Sequence, residues 1–360
     1  MSQYNSYVQD AVSLLQKLIS TPSVSRDESA AADVMQHAME GYGFTPFRHG
    51  NNLLLKSSHW DDNRPTLLLN AHIDTVKPVS TWTRDPFSPT LEGDTLFGLG
   101  SNDCGGGLVS LLQVFRIMEA MPESATREYN IMYLASCEEE VSGAEGIRSI
   151  LPLLPKVDVA IVGEPTGMQP AIAERGLMVI DGVAHGKSGH AARNEGINAI
   201  YKALDDLLFI RDYKFDKISP LLGPTKMQCT VVNSGTQHNV VPDECRFIID
   251  VRTNEHYTNE DVFAFLQSRL TSDLKARSFH LHSSSIPADH PLVKRCIAMG
   301  MKPFGSPTLS DQALMRFPSF KLGPGESSRS HSADEFIRIS EIENAINTYV
   351  KLLTEGNTPS

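Results

Sequence analysis

Six side chains of the types that bind metals or transfer protons follow apolar or glycine-rich segments of this chain. They are His72, Asp103, Glu139, Glu140, Glu164 and His331. Histidines and carboxylates around one bridging acid suit a pair of zinc ions, each of which keeps a coordination position for water. Two Zn²⁺ ions would offset four negative charges, those of Asp103, Glu140, Glu164 and a bridging hydroxide, which leaves Glu139 over as a base. Without metals, clustering these acids would raise their pKa values and destabilise the fold.

His72 and Asp74 come just after an apolar run at residues 67–69, which predicts a buried strand of a parallel sheet over residues 66–70. Ligands of open α/β sheets bind outside the carboxyl ends of the strands, so this pair is placed for chemistry. On its own, a histidine after such a run is more often a packed or capping side chain than a ligand. The metal interpretation therefore depends on the other groups.

The elements that must position these groups alternate between helix and strand. Apolar runs predict further parallel-type strands over residues 130–136 and 157–163, and both end in acidic segments. Helical periodicity covers residues 4–19, 29–40, 107–121, 292–301 and 341–353. Residues 77–100 are rich in Pro, Thr and Gly and are predicted to form a long irregular loop.

The pattern changes near residue 174. Strand-like segments at 178–184, 227–234 and 245–252 and helix-like segments at 198–211 and 261–274 indicate an inserted α+β domain with one sheet and two helices. We therefore predict an α/β catalytic domain with a mostly parallel sheet, formed by residues 1–173 and 287–360. Residues 174–286 would form the inserted α+β domain.

Composition excludes several classes of protein. The net charge of −11 and the lack of a basic stripe argue against nucleic acid as a partner. No apolar run approaches the roughly 20 residues that span a bilayer, and Asp10 stands where a signal peptide would be basic and then apolar. The five scattered cysteines fit reduced thiols, so we expect a cytoplasmic protein without a membrane partner. The glycine-rich run at 98–107 matches neither a Walker loop nor GxGxxG after a strand, which argues against nucleotide binding.

Ordered motifs over nearly the whole chain resemble a known family. They are PSVSRDE, AHIDTV, GLGSNDCGGG, EEEVSGAEG, VGEPTG, GHAARNEGINAI, NVVPDECRFIIDVRT and GPGESSRSH. The chain is similar to the co-catalytic zinc amidohydrolase and exopeptidase family, which includes acetylornithine deacetylase, succinyl-diaminopimelate desuccinylase, aminoacylase and glutamate carboxypeptidase. One departure follows Asp103, where many members have Met-Lys-Gly and this chain has Cys-Gly-Gly at 104–106.

The resemblance implies a ligand set for two zinc ions, with Co²⁺ or Mn²⁺ as possible substitutes. His72 and Glu164 would hold one ion. Glu140 and His331 would hold the other, and Asp103 would bridge the two.

The resemblance also implies two supporting roles. Asp74 would orient the imidazole of His72 through its second ring nitrogen. Glu139 would be the general base that takes a proton from water and passes it to the leaving nitrogen. The run Glu138-Glu139-Glu140 leaves the register open, and the acid that usually precedes the Glu-Glu pair in the family favours Glu139 and Glu140.

Further residues are implied by the resemblance to act on substrate. His190 would stabilise the tetrahedral oxyanion, often from the partner subunit, although a polar loop histidine is the simpler interpretation. Asn239 matches a second such polar group. Arg252 would bind a substrate carboxylate in a bidentate fork or, equally, form a surface or interdomain ion pair. Arg193 and Arg329 could share the carboxylate role, and Gly323 would shape the turn before the last histidine ligand.

The expected activity is zinc-dependent hydrolysis of an Nα-acyl amino acid. The EPTGMQPAIAERG and GHAARNEGINAI stretches most resemble acetylornithine deacetylases, which favours N-acetylornithine, cleaved to ornithine and acetate in arginine biosynthesis. Alternatives are N-succinylornithine, N-acetylcitrulline or succinyl-diaminopimelate as substrate, or a dipeptidase or carboxypeptidase activity. A non-catalytic metal-binding relative is the alternative of another class. The family also implies that the inserted domain at 174–286 is a lid or dimerisation domain, through which the chain would form a homodimer.

Overall fold

A computed structural model describes residues 3–122, 127–193 and 195–354. The chain forms two compact units. The first consists of Met1–Ile172, Ile286–Phe304 and Ser310–Ser360, and the second of Ala173–Ser285 and Gly305–Leu309. The predicted insertion at 174–286 differs from the main part of the second unit by one residue at each end, and the sequence did not indicate the segment Gly305–Leu309. Among the described residues, no helix is both long enough and apolar enough to cross a membrane.

Eight helices and twenty strands lie in the described part of the chain. The helices are α1 (Asn5–Ile19), α2 (Ser29–Gly41), α3 (Gly106–Ala120), α4 (Ile147–Ile150), α5 (Ala199–Asp212), α6 (Asn259–Arg269), α7 (Pro291–Ala298) and α8 (Ile339–Thr354). The strands are β1 (Phe47–His49), β2 (Asn52–Lys56), β3 (Thr66–His72), β4 (Thr90–Glu92), β5 (Thr95–Phe97), β6 (Asn130–Ser136), β7 (Val159–Val162), β8 (Ala171–Glu174), β9 (Met178–His185), β10 (Gly189–His190), β11 (Ile218–Ser219), β12 (Gly223–Pro224), β13 (Lys226–Ser234), β14 (Val240–Val241), β15 (Glu244–Arg252), β16 (Asp273–Ala276), β17 (Ser284–Ser285), β18 (Phe304–Ser306), β19 (Ser319–Lys321) and β20 (Phe336–Arg338).

The sheet of the first unit is parallel at its centre and antiparallel at its edges. Its strand order is β1-β2-β6-β3-β7-β19, and Lys321 of β19 pairs with Ala171 of β8. The four inner strands β6, β3, β7 and β19 run parallel, whereas β1 and β2 are antiparallel. This arrangement confirms the predicted α/β fold with a mostly parallel sheet.

Both faces of the central strands are covered. All residues of β3 are buried, because Leu67 and Leu69 pack into a core with α1, α3 and α8 while Leu68 packs on the opposite face with α4. Helix α3 lies directly against the end of β7, since a Cβ atom on Gly107 would come within 1.8 Å of the carbonyl oxygen of Gly163. Glycine is therefore required where α3 begins.

The second unit has a four-stranded antiparallel sheet in the order β13-β15-β9-β16. Burial alternates along β9 and β15, since one face of the sheet packs against α5 and α6. The predicted helix over 261–274 is wrong at its end: α6 stops at Arg269 and β16 begins at Asp273. The carboxylate of Asp206 accepts the main-chain N–H groups of Thr271 and Ser272, which holds this connection outside the helix.

The predicted irregular loop at 77–100 is also partly wrong. It contains the short strands β4 and β5, and β5 pairs with β20 from near the carboxyl end of the chain. Local composition could not reveal this pairing, because the partner strand lies more than two hundred residues away.

Candidate metal centre

The predicted ligands come from strand ends and loops at one edge of the parallel sheet. His72 is the last residue of β3, and Glu164 follows β7 by two residues. Asp103 lies in the segment Ser101–Gly105 that leads into α3, and the peptide bond after it is cis. Since β3 and β7 are adjacent and parallel, their carboxyl ends present His72 and Glu164 side by side.

All five predicted ligands meet around the carboxylate of Asp103. Its Oδ1 lies 3.3 Å from Nε2 of His72, and its Oδ2 lies 3.6 Å from Nε2 of His331. Glu164 Oε1 is 3.7 Å from Nε2 of His72, and Glu140 Oε2 is 3.0 Å from Nε2 of His331. The carboxylate of Asp103 thus faces one imidazole with each oxygen, as a ligand shared by two cations would.

The hydrogen bond of the second ring nitrogen settles the tautomer of His72. Nδ1 lies 2.8 Å from the main-chain carbonyl oxygen of Asp74. A carbonyl oxygen can only accept, so Nδ1 carries a proton, and Nε2 is the ring nitrogen that faces the candidate metal site. Asp74 thus contacts the second ring nitrogen chiefly through its main-chain carbonyl, and its carboxylate Oδ1 lies farther away, at 3.6 Å from Nδ1.

The carboxylate of Asp74 instead holds the loop that carries the two glutamates. It accepts hydrogen bonds from the main-chain N–H of Glu139 at 3.0 Å, the N–H of Glu140 at 3.2 Å and the hydroxyl of Ser25 at 2.7 Å. Asp74 therefore links the end of β3 to the loop after β6.

The side chains of the Glu138-Glu139-Glu140 run point to different places. Glu138 adopts a left-handed conformation with a φ of 53°, and its carboxylate accepts the N–H of Glu145 in its own loop. Glu139 brings Oε2 to 4.0 Å from Nε2 of His72. This geometry favours the register in which Glu139 and Glu140, rather than Glu138, face the site.

The cluster has the electrostatics of a cation site. Burial, followed by the negative charge of Asp103, raises the pKa of Glu164 to about 8. Burial also raises the pKa of Glu139 well above its ordinary value, and the charge of Glu164 adds to this effect. Oε1 of Glu164 is buried without a hydrogen-bond partner among the described residues. Two imidazoles and several under-compensated carboxylates fit a pair of divalent cations.

Two overlapping groups of side chains could each hold an ion. In each group the donor atoms lie within 4.8 Å of one another. One group is His72, Asp103 and Glu140, and the other is His72, Cys104 and Glu164. Burial raises the pKa of the Cys104 thiol, and its sulfur lies 3.2 Å from the main-chain nitrogen of His72. A protonated thiol is a poor ligand, so Cys104 fits a structural role at the position where the chain departs from the family pattern.

Three buried acids beside the centre were missed in the sequence. Oδ2 of Asp311 accepts the hydroxyl of Ser136, the residue paired with His72 across the sheet, and burial raises the pKa of Asp311 to about 7. Glu28 accepts the main-chain N–H of Glu138 at 2.9 Å. Glu335 accepts main-chain N–H groups from the Asp103 segment. Their only sequence signal is an acidic residue near a motif, which does not distinguish a buried acceptor from a surface charge.

The predicted oxyanion residues lie together in the second unit. Strand β10 ends at His190 and pairs with β14, and the N–H of Ala191 donates to the carbonyl oxygen of Asn239 at 3.1 Å. Nδ1 of His190 accepts the N–H of Ala192, so the neutral ring carries its proton on Nε2. The side chains of His190 and Asn239 are exposed, and His190 presents an N–H donor.

The other predicted substrate-binding residues include Arg252, Arg193 and Gly323, and each of these lies in a different environment. Arg252 forms a fork with Asp250, with Nε 2.9 Å from Oδ1 and Nη2 3.1 Å from Oδ2, which is the ion-pair alternative. Arg193 is exposed at the end of a short 3₁₀ segment. A Cβ atom on Gly323 would come within 2.4 Å of the carbonyl oxygen of Glu164, so this glycine allows close backbone packing behind a proposed ligand.

The fold and the centre define a hydrolytic enzyme of the metallopeptidase and amidohydrolase class. Residues 68–355 match the model of peptidase family M20/M25/M40, and the chain belongs to that family. This membership supports a hydrolytic enzyme over the non-catalytic alternative, since none of the six predicted groups is missing from the sequence. It also agrees with the resemblance recognised in the motifs.

Curated relatives of the chain include an acetylornithine deacetylase and a succinyl-diaminopimelate desuccinylase. The chain is 28% identical to an acetylornithine deacetylase of Klebsiella pneumoniae over 364 residues, which covers 91% of this chain and 92% of the relative. It is 27% identical to a succinyl-diaminopimelate desuccinylase of Magnetococcus marinus over 378 residues, covering 96% and 97% of the two chains.

A solved structure shares the fold. The Bacillus subtilis YXEP protein, described as a dinuclear metal binding peptidase from the M20 family, matches with a TM-score of 0.69 and 16% identity. The match covers 97% of this chain and 98% of that one. At this identity the likeness establishes the fold alone.

Proposed function

We propose that this protein is a di-zinc deacylase that hydrolyses the amide bond of an Nα-acyl amino acid, with N-acetylornithine as the favoured substrate. The observation that carries the proposal is the position of Asp103 between the imidazoles of His72 and His331, with the partly buried Glu139 beside them. Similarity to acetylornithine deacetylases supports the acetyl group and ornithine, and a cytoplasmic role in arginine biosynthesis follows from that substrate.

The proposed metal ligands divide into two sets around the shared acid. His72 and Glu164 would hold one zinc ion, and Glu140 and His331 the other, with Asp103 common to both. When bound, the ions supply Lewis acidity that polarises the substrate carbonyl and lowers the pKa of water toward ~7. Co²⁺ or Mn²⁺ would substitute, since oxygen and imidazole donors accept these ions as well.

Glu139 is the proposed proton carrier. Its carboxylate is partly buried near Nε2 of His72, and burial raises its pKa above the ordinary value, which suits a group that accepts a proton from water and releases it to the leaving nitrogen. The hydrogen bond from its main-chain N–H to Asp74 fixes the position from which it acts. Glu138 is directed to its own loop and has no part in this step.

Residues of the second unit are proposed to recognise the substrate. The Nε2–H group of His190 would stabilise the oxyanion, with the Asn239 amide as a second donor. Arg252 would bind the α-carboxylate, for which its fork must exchange Asp250 for substrate, and Arg193 would share that role. Replacing His190 with Ala should lower kcat by about 100-fold with a smaller effect on KM, whereas the matched exposed control His238→Ala should leave both unchanged.

A homodimer through the second unit is also proposed. Ile200, Leu204 and Leu208 form an exposed apolar stripe along α5, and Val231 and Val232 are exposed on β13 at the edge of the sheet. An exposed edge strand beside an apolar helix face suits pairing with a second copy of the chain. Size-exclusion chromatography with light scattering should give a dimer, and Leu204→Glu should give a monomer. A monomeric wild-type protein would contradict this assignment.

A panel of substrates tests the activity. We expect the highest kcat/KM for N-acetylornithine among acetylornithine, succinylornithine, acetylcitrulline, succinyl-diaminopimelate and dipeptides. A preference for a succinyl substrate would reassign the acyl group within the deacylase proposal. Preferred cleavage of dipeptides would replace the proposal by a peptidase activity, which the family of the chain keeps as the second candidate.

A further inference from the structure

Glu335 is a buried acid that no proposed catalytic step uses. Its exposed fraction is 2%. Oε1 accepts the main-chain N–H groups of Asn102 at 2.8 Å and Asp103 at 2.9 Å, and Oε2 accepts the N–H of Gly100 at 3.0 Å. The carbonyl oxygen of Glu335 also accepts the N–H of Gly98 at 3.0 Å. One residue therefore receives four main-chain donors from residues 98–103.

These contacts hold a segment whose backbone is irregular. Asp103 has φ −115° and ψ 99° inside the short helical segment Ser101–Gly105, so its N–H cannot rely on an ordinary helical ladder. Buried N–H groups without acceptors destabilise the folded state, and a buried carboxylate is tolerated when it accepts several such donors. The Glu335 carboxylate and the main-chain N–H groups of residues 100, 102 and 103 thus satisfy each other's hydrogen-bonding requirements.

Glu335 also belongs to the segment that delivers His331, four residues earlier in the chain. His331 has a φ of 57°, and Asp334 has a φ of 54°. The carboxylate of Asp334 accepts the N–H and hydroxyl of Thr83 and the N–H of Arg84. The segment 331–335 is therefore fixed at two consecutive acids, and one of these binds the backbone of Asp103.

We propose that Glu335 is a positioning residue that ties the main chain at Asp103 to the His331 segment and so sets the affinity of the centre for its pair of metal ions. This inference rests on the proposed metal centre and is independent of the substrate. Glu335 would affect metal binding through the main chain of Asp103. Outer-shell groups of this kind change metal affinity by about 10–100-fold when they are replaced.

Two variants remove different numbers of the Glu335 side-chain contacts. Glu335→Gln keeps the size of the side chain, but its carboxamide has one accepting oxygen, which can serve either Gly100 or the pair Asn102 and Asp103. Glu335→Ala removes all three side-chain contacts. Glu341→Gln is the matched control. The carboxylate of Glu341 accepts from the guanidinium of Arg329 and from the N–H of Arg338, so this variant perturbs the same part of the chain through different partners.

The first measurement is hydrogen–deuterium exchange of metal-free protein. We expect faster exchange of the amides at 100, 102 and 103 in Glu335→Gln, still faster exchange in Glu335→Ala, and wild-type exchange there in Glu341→Gln. The second is calorimetric titration with zinc, in which Glu335→Gln should weaken binding by about 10–100-fold. The third is the visible spectrum of the cobalt-loaded protein, which should change in Glu335→Gln and stay unchanged in Glu341→Gln.

Wild-type exchange, zinc affinity and cobalt spectrum in Glu335→Gln would overturn the proposal. A wild-type protein that binds fewer than two zinc ions would overturn it together with the metal pair. If Glu335→Ala does not fold, Glu335→Gln decides the outcome. None of these readouts uses a substrate, so a failed substrate panel would reject the deacylase proposal and leave this one standing.

Discussion

Oδ1 of Asp74 lies 3.0 Å from the main-chain nitrogen of Glu139 and accepts its hydrogen bond. The same residue accepts the Nδ1 proton of His72 with its carbonyl oxygen. One aspartate therefore positions a proposed metal ligand through its main chain and the proposed base through its side chain. Changes at this residue or at either of its partners should consequently have separable effects on metal binding, turnover and stability.

Replacing Glu139 should abolish turnover without emptying the metal centre. We expect Glu139→Gln to lower kcat by about 10²–10⁴-fold, because a carboxamide cannot accept a proton from water. Zinc content by elemental analysis should remain at the wild-type value. Glu138→Gln is the matched control and should retain most activity. Near-wild-type turnover in Glu139→Gln with loss in Glu138→Gln would move the base to the other register.

Replacing Asp74 with Asn should cost both stability and activity. The carboxylate accepts from Ser25, Glu139 and Glu140, and a carboxamide keeps only one accepting oxygen. We expect the free energy of unfolding to fall by about 1–3 kcal/mol, measured by urea denaturation. Ser25→Ala removes one of these donors and should cost about 1 kcal/mol. Equal stability of Asp74→Asn and wild type would contradict this account.

Removing the metals should destabilise the first unit. Zinc that binds only the folded state at a thousand times its Kd would contribute about 4 kcal/mol, so chelation should lower the Tm measured by calorimetry. His331→Ala should reduce the zinc-induced rise in Tm, since it removes a proposed ligand. The exposed His238→Ala should keep the full rise. A Tm that does not respond to chelation would refute the metal contribution.

Two glycine substitutions should act in opposite directions. Gly107→Ala would place a Cβ atom 1.8 Å from the carbonyl oxygen of Gly163, and we expect a loss of about 1–3 kcal/mol in the free energy of unfolding. Gly41 ends α2, and a Cβ atom there would meet no described atom within 4 Å, so Gly41→Ala should be neutral or stabilise by up to about 1 kcal/mol. Chemical denaturation measures both, and a tolerated Gly107→Ala would show that α3 can move away from β7.

The ion pair between Glu341 and Arg329 predicts a pH dependence of stability. Burial alone would raise the pKa of Glu341, but the hydrogen bonds from Arg329 and from the N–H of Arg338 outweigh it and hold this pKa below its ordinary value. Because the folded pKa is the lower one, the stabilisation is complete above the unfolded pKa of about 4.3 and is lost as the pH falls through the folded pKa. Glu341→Gln should flatten this part of the stability curve, measured by urea denaturation from about pH 3 to pH 6. If Glu341→Gln leaves the slope of stability against pH unchanged, the pH dependence does not arise from Glu341.

The sequence by itself determined the elements with strong local patterns. The strand predicted over residues 130–136 is β6, and the helix predicted over 4–19 is α1 to within one residue, because continuous apolar runs and helical periodicity are local properties. The family resemblance of its motifs also predicted five metal ligands, and the side chains of the other four lie around Asp103. Parallel strands present their carboxyl ends at one edge, so motifs at those ends converge without knowledge of any contact.

Only the tertiary structure decided how these groups are held. The proton on Nδ1 of His72 follows from the carbonyl oxygen of Asp74, and the direction of Glu138 follows from its left-handed backbone and the N–H of Glu145. The buried acceptor role of Glu335 depends on donors more than 230 residues away. A single sequence records the type of each acid, whereas its burial and its partners depend on which distant segments pack around it.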